Sequence, residues 1–293
     1  CLLTSAQQLG IEIWTSSGVS KVNSVETSQR TEFVIELLSG DKLIADRLLI
    51  ASGGNPNLAA YQWINDLQHP ITPPVPSLFT FNVPQHFLSD LQGVSSQQAK
   101  VRIAKTKLEQ DGPLLITHWG FSGPSVLKLS AWAARELAEK NYEFSIAINW
   151  YNQPDEKIKE ELQHFKLLHS AKLVHTLAYG GLPHRLWKAF LQQAQIPETL
   201  RWADLSNKSF NRLVESLVHG TFEVKGKTTF KEEFVTCGGV QLSQINAKTL
   251  ESTQCKGLFF AGEVLDIDGI TGGYNFQSAW STGWVAGMNI GLD

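Results

Sequence analysis

A chain of 293 residues with 42% hydrophobic content is long enough for one large domain or two ordinary ones and carries ample material for a core. Its formal charge of −3 supplies no basic field for counterion release, so a nucleic-acid partner is not expected. The lack of any apolar run of about eighteen residues argues against a membrane span, and three cysteines without a C-x-x-C pattern argue against a disulfide framework or zinc knuckle and for a reducing, cytoplasmic setting.

The chain opens on Cys1 inside what reads as a helix tail (Leu2, Leu3, Ala6, Leu9) stopped by Gly10, so residues upstream are expected to be missing. Strand signals follow at Ile11 and Ile13, at Val19 to Val25, and at Phe33, Ile35 and Leu37, with a turn at Ser39-Gly40-Asp41. The apolar run Leu48 to Ala51 ends in Ser52-Gly53-Gly54-Asn55-Pro56. That pattern suits a strand buried on both faces that delivers a backbone turn at its C-terminal end, and equally a plain hairpin exit.

Pro70, Pro73, Pro74 and Pro76 are expected to break regular structure and mark a domain boundary. Beyond them, strands are predicted over Leu78 to Val83, Val101 to Leu108, Leu114 to Thr117 and Phe144 to Trp150, with a helix from Pro124 to Glu139. The period turns helical from Asp155 to Gly220. Phe210, Leu213, Val214, Leu217 and Val218 share one helix face, with Ser206 or Asn207 as cap and Gly220 as stop. His164, His169 and His175 lack metal-ligand spacing and read as ordinary surface or core residues. Strands are expected to return over Phe230 to Thr236, Val240 to Leu242 and Leu258 to Ala261, with Cys237-Gly238-Gly239 as a turn.

Several familiar motifs fail. Of 23 glycines no two are separated by a single residue, so a G-x-G-x-x-G phosphate loop is either unused or lies upstream. Gly220 to Thr228 has one residue too many for a P-loop, and a strand-rich segment follows it. His118 to Pro124 places Pro124 where a nucleophile elbow needs glycine. It does offer a histidine and backbone N–H groups at a strand-to-helix junction, suited to an anion or developing oxyanion. A helix cap at Ser122 and a backbone-bonded His118 explain the same residues.

At the C-terminus, the strand Leu258 to Ala261 ends in Gly262-Glu263, a carboxylate placed to accept hydrogen bonds from sugar or ribityl hydroxyls. Thr271-Gly272-Gly273-Tyr274-Asn275 then opens a helix with Ala279, Gly283 and Gly287 at every fourth position. The small-residue stripe allows close approach to a strand or cofactor, and the helix N-terminus favours negative charge near a flavin carbonyl or phosphate. A glycine-rich loop packing the last helix on a sheet is the bland alternative.

Five segments in order carry a resemblance: Ala45 to Pro56 (ADRLLIASGGNP), Ile71 to Leu78 (ITPPVPSL), Thr117 to Leu127 (THWGFSGPSVL), Val235 to Val240 (VTCGGV) and Gly257 to Trp280. Together they resemble the BaiN/RdsA-like family of NAD(P)/FAD-dependent oxidoreductases. The resemblance implies an α/β fold, with an FAD-binding domain of the glutathione-reductase type interrupted by an inserted β-barrel and helical domain. The divisions are residues 1–72 and 230–293 for the FAD domain and 73–229 for the insert. This chain departs from the family in lacking the N-terminal β-α-β unit that carries the phosphate loop.

It further implies hydride transfer between NAD(P)H and a small organic substrate through FAD. Val19 would contact adenine, Ser52, Gly53 and Gly54 would pass near the phosphates and ribose, and Gly262 and Glu263 would hold the ribityl chain. Thr271, Gly272, Gly273, Tyr274, Asn275 and Phe276 would line the isoalloxazine. His118 is the candidate for proton delivery, because an imidazole titrates near neutrality, and Cys237 is a weaker redox candidate. Two other readings stay open: a cofactor-free scaffold, and an RNA-modifying flavoprotein, against which the acidic balance speaks.

Overall fold

In the computed structural model, which describes residues 1–26, 31–228 and 235–291, helix α1 (Leu2–Gln8) is closed by Gly10 in the left-handed region (φ 70°). Ile11 and Ile13 lie in exposed irregular chain instead of the expected strand, because an extended run without a described neighbour has no ladder to hold it. Strands β1 (Val19–Glu26), β2 (Thr31–Leu37) and β3 (Lys42–Ala45) form an antiparallel meander. Phe33, Ile35 and Leu37 alternate inward along β2, as a period of two requires. Strand β4 (Leu48–Ile50) follows, but only Ile50 is fully buried, so the expectation of burial on both faces holds for that residue alone. Next come helix α2 (Gln62–Asn65) and strand β5 (Ile71–Ser77).

The prolines of β5 do not break it. Proline's fixed φ is compatible with extended chain, and its missing donor is tolerated in a strand with a single ladder partner, which is how β5 is paired.

Seven strands build the next sheet: β6 (Thr80–Asn82), β7 (Ser95–Ile103), β8 (Glu109–Ile116), β9 (Gly120–Ser122), β10 (Glu143–Asn149), β11 (Gly220–Lys225) and β12 (Lys227–Thr228). Their spatial order is β11-β10-β7-β8-β9-β6-β12. The strands β11 and β12 thus occupy opposite edges although Gly226 alone separates them. Its N–H donates to the Tyr142 carbonyl at 2.8 Å and its carbonyl accepts from Asn82 N–H at 3.1 Å, so the sheet closes on itself as a barrel. The strand expected over 101–108 stops at Ile103, where the chain turns through Lys105 at φ 63°.

The helix expected from Pro124 to Glu139 is two, α3 (Pro124–Trp132) and α4 (Ala134–Glu139), parted at Ala133 (φ −101°, ψ 6°). Pro124 stands in the first turn as expected, but the cap is Gly123, with no side-chain hydrogen bond from Ser122. Helices α5 (Asp155–Leu168), α6 (His184–Gln193) and α7 (Asn207–Val218) fill the helical stretch. The Ser206 hydroxyl caps α7 by accepting from Ser209 N–H at 3.2 Å. Trp150, Trp187 and Trp202 are fully buried with the inward faces of barrel and helices.

Of the strand expected over Phe230 to Thr236, residues 230–234 lie outside the described residues; strand β13 (Val235–Val240) pairs with β5. Cys237-Gly238-Gly239 is therefore strand, not turn. Gly238 holds φ 127°, and a Cβ there would stand 2.7 Å from the Pro73 carbonyl oxygen, so glycine lets β13 press against the proline strand. Strand β14 (Leu258–Phe260) runs parallel to β4, and helix α8 (Tyr274–Ile290) ends the fold.

The chain forms two compact units: Cys1–Pro74 with Gly238–Ile267 and Phe276–Asp293, and Val75–Cys237 with Asp268–Asn275. No helix among the described residues is long and apolar enough to cross a membrane.

Candidate cofactor site

In the first unit, the parallel pair β4 and β14 ends in two turns that sequence reasoning singled out. Ala261 N–H donates to the Ile50 carbonyl at 3.0 Å, so Ser52-Gly53-Gly54 and Gly262-Glu263 leave adjacent strands at the same end. The carboxyl end of neighbouring parallel strands is where open α/β sheets bind ligands. Gly53 (φ 75°) and Gly262 (φ 77°) both take the left-handed backbone that turns the chain sharply there. Gly262 N–H is held by Thr282 Oγ1 of α8 at 2.9 Å, which fixes the second turn against the last helix.

Tyr61, which sequence reasoning missed, is bonded to the first turn. Its hydroxyl accepts from Asn55 N–H at 2.8 Å. Burial pushes the phenol pKa up, the Asn55 bond draws it back, and the charge of Glu263 adds to the rise. The signal was local: Asn57 caps the short turn Leu58–Tyr61 through Ala59 N–H at 3.0 Å, which swings Tyr61 back over the glycine loop.

Val19 and Ser52 line one hollow of about 770 Å³, together with Trp14, Ile44, Leu49 and Trp63. Its wall is mostly aliphatic and aromatic, and it runs beside β4. The other edge of β14 is taken: Ser252 N–H donates to Leu258 and Phe260 N–H to Leu250, at 2.7 and 3.0 Å. Among the described residues β4 pairs only with β14, so its second edge is open toward this hollow.

The expected close packing of the α8 stripe is only partly present. A Cβ on Gly262 would lie 3.9 Å from Ala279 Cβ, whereas Gly283 and Gly287 face open space. Phe276, Trp280, Trp284 and Met288 are exposed, and Ala286 is the only fully buried residue of the helix.

In the second unit, the loop Asp268–Asn275 is closed by its own ends. Asn275 Oδ1 accepts from Gly269 N–H at 2.8 Å and Asn275 Nδ2 donates to the Gly269 carbonyl at 3.0 Å. The Asn275 side chain is thus a structural clasp, and its amide is already engaged. Ser77 Oγ donates to Asp268 at 2.9 Å and anchors the same loop. Thr271 is half-buried, Gly272 (φ 125°) and Gly273 (φ 87°) carry the turn, and Tyr274 is exposed.

His118 does not stand at the strand-to-helix junction. Thr117 N–H donates to the Gly120 carbonyl at 2.8 Å, which places His118 and Trp119 at the tip of the β8–β9 hairpin. There His118 is exposed and lines a hollow of about 370 Å³ with Asn82, His86, Ser89 and Lys225. Cys237 is buried within β13, and Cys255 is half-buried with its thiol pKa pushed up by burial, so Cys255 is not poised as a thiolate. His164 is exposed, and His175 Nδ1 pairs with the Glu198 carbonyl at 2.5 Å.

Residues 75–235, the greater part of the chain, match the family domain described as HI0933-like protein barrel and H2TH domain. The whole chain is similar to a ribosomal RNA dihydrouridine synthase of Haemophilus influenzae, 30% identical over 99% of this chain and 71% of the relative. It is also 30% identical to the ribosomal RNA dihydrouridine synthase of Escherichia coli, over 92% of this chain and 66% of that protein. A 3-dehydro-bile acid delta(4,6)-reductase of Clostridium scindens is 28% identical over 87% of this chain and 64% of its own length. The chain therefore spans about two thirds of the length of these relatives. Two of the three names refer to RNA, the partner class that the net charge argues against. The chain belongs to the HI0933-like family, the BaiN/RdsA-like oxidoreductases.

Proposed function

We propose that this chain is the larger part of an FAD-dependent reductase that adds hydride and a proton across a carbon–carbon double bond conjugated to a carbonyl. The reading is carried by the pairing of β4 with β14, which brings the Ser52–Gly54 and Gly262–Glu263 turns to one end of a parallel pair. Dihydrouridine is uridine with its ring double bond reduced, and a 3-oxo-delta(4,6) steroid carries a conjugated double bond. The names of the relatives therefore share one chemistry although their substrates differ.

The residues present fit part of the cofactor. A Cβ on Gly53 would meet no atom within 4 Å, so there is open space beside that turn. The Glu263 carboxylate would accept from ribityl hydroxyls, and Val19 would face the adenine from the wall of the 770 Å³ hollow. A phosphate-binding loop would come from a further parallel strand on the open edge of β4, with residues 1–72 and 230–293 forming one domain around it. Thr271 to Phe276 would line the ring system with backbone groups, since Asn275's side chain is engaged with Gly269. When bound, a flavin supplies two-electron hydride chemistry, with NAD(P)H as the source of reducing equivalents. His118 would deliver the balancing proton, being exposed and able to exchange with solvent.

For substrate, uridine in RNA is favoured over a small molecule by the distribution of charge. Residues 75–235 hold nineteen Lys and Arg against sixteen Asp and Glu, whereas the remainder holds six against twelve. The net acidity lies outside the barrel and helices, which leaves that part able to meet a polyanion. Incubation of the purified protein with FAD, NADPH and ribosomal RNA, followed by nucleoside mass analysis, tests the reading. Uridine gaining two hydrogens supports it; oxidation of NADPH with unchanged RNA would remove RNA as the substrate.

A further inference from the structure

The hollow at the β8–β9 hairpin tip has a chemistry of its own. Asn82, His86, Ser89, His118 and Lys225 line it, and no carboxylate does. Asn82 Oδ1 accepts from Thr228 Oγ1 at 2.9 Å, which turns the Asn82 amide so that Nδ2 is left as a donor. His86 Nδ1 is buried without a partner, and the imidazole centroid lies 5.2 and 6.0 Å from the ring centroids of Phe121 and Phe222. Burial holds the imidazole pKa below its ordinary value, so the ring is neutral. With Nδ1 buried and without a partner, the favoured tautomer puts the proton on Nε2, which is not among the buried unpartnered atoms.

Lys225 is exposed and enters no ion pair among the described residues. Its cross-strand neighbour is Glu143, and Glu223 lies two residues along the strand. Both carboxylate oxygens of Glu223 accept from Ser145 Oγ, at 2.8 and 2.9 Å. Five groups able to donate hydrogen bonds, one of them a full positive charge, therefore surround a space of about 370 Å³ that no carboxylate lines. That is the donor pattern of an oxyanion site, at the size of a small organic ligand.

We propose that this hollow binds a phosphate group carried by an organic ligand, with Lys225 as the charge and Asn82, His86 and Ser89 as hydrogen-bond donors. Two sources share that chemistry: the phosphodiester of an RNA strand and the ribose phosphate of a nicotinamide cofactor. The site does not depend on the flavin assignment, because every group in it belongs to the second unit.

Equilibrium binding to the full 293-residue chain tests the proposal, without FAD, using inorganic phosphate, a short single-stranded RNA, NADPH and NADH as probes. Lys225→Gln should weaken binding of the phosphate-bearing probe about tenfold, the loss expected for one charge-assisted hydrogen bond. Ser89→Ala should weaken it about threefold. Lys208→Gln, at the start of α7 and outside the hollow, should leave it unchanged. Tighter RNA than phosphate binding identifies the phosphodiester as source, and NADPH preferred over NADH identifies the ribose phosphate. Binding of no probe, or equal losses in Lys225→Gln and Lys208→Gln with circular dichroism unaltered, would overturn the proposal.

Discussion

Tyr61 Oη accepts the Asn55 N–H at 2.8 Å, which fixes the phenol on the glycine turn after β4, where the negative charge of Glu263 after β14 helps to raise its pKa. Tyr61→Phe leaves the Asn55 N–H without its acceptor in a partly buried place. The expected cost is about 1–3 kcal/mol, read as a lowered midpoint in urea, together with weaker FAD binding. Unchanged stability and affinity would mean that the bond is replaced by water.

Glu263→Gln keeps the shape of the side chain and removes its charge. FAD affinity should fall roughly tenfold, since acceptance by an ionised carboxylate gives way to a neutral amide. The phenol of Tyr61 should simultaneously titrate at lower pH, because the Glu263 charge helps to raise it. Ultraviolet titration of the tyrosines reads the second effect independently of cofactor.

How far the sequence revealed this arrangement depends on the range of the interactions. The glycine turns and the α7 stripe were readable because each is written within about ten residues. Lys225 was not, because its surroundings come from distant chain, whereas the bond of Tyr61 to Asn55 spans only six residues and was overlooked. The Cys237-Gly238-Gly239 segment misled for a related reason. Its glycines exist for the approach of Pro73, a residue far away in sequence, and so imitate a turn. The barrel was equally hidden, since its closure rests on Gly226 bonding to both Asn82 and Tyr142.

Gly238→Ala tests that packing. The new methyl group would stand 2.7 Å from the Pro73 oxygen and 2.8 Å from Pro74 Cα, at a φ that alanine disfavours. A loss of about 3 kcal/mol or more is expected in denaturant unfolding, combining overpacking with backbone strain. A loss below about 1 kcal/mol would contradict the close approach of β13 to β5.

His69 gives the first unit a pH dependence of known sign. Its Nδ1 donates to the Leu67 carbonyl and its Nε2 accepts from Ser252 Oγ, both at 2.8 Å, which fixes the neutral ring. Burial lowers its pKa and the Leu67 bond partly restores it. The unfolded chain therefore binds more protons below the unfolded pKa of about 6.5. Stability is full above that value and declines as pH falls toward the lowered folded pKa. Unfolding midpoints measured from pH 7.5 down to about pH 5 should fall in the wild type and fall less in His69→Gln.

The central claim is that the paired β4 and β14 turns hold a flavin. Its most direct test is FAD titration of the protein expressed from its own gene, followed by tryptophan and flavin fluorescence, with Glu263→Gln in parallel. Saturable binding that weakens about tenfold in Glu263→Gln is the predicted result. Binding that is absent, or indifferent to Glu263, would contradict the account.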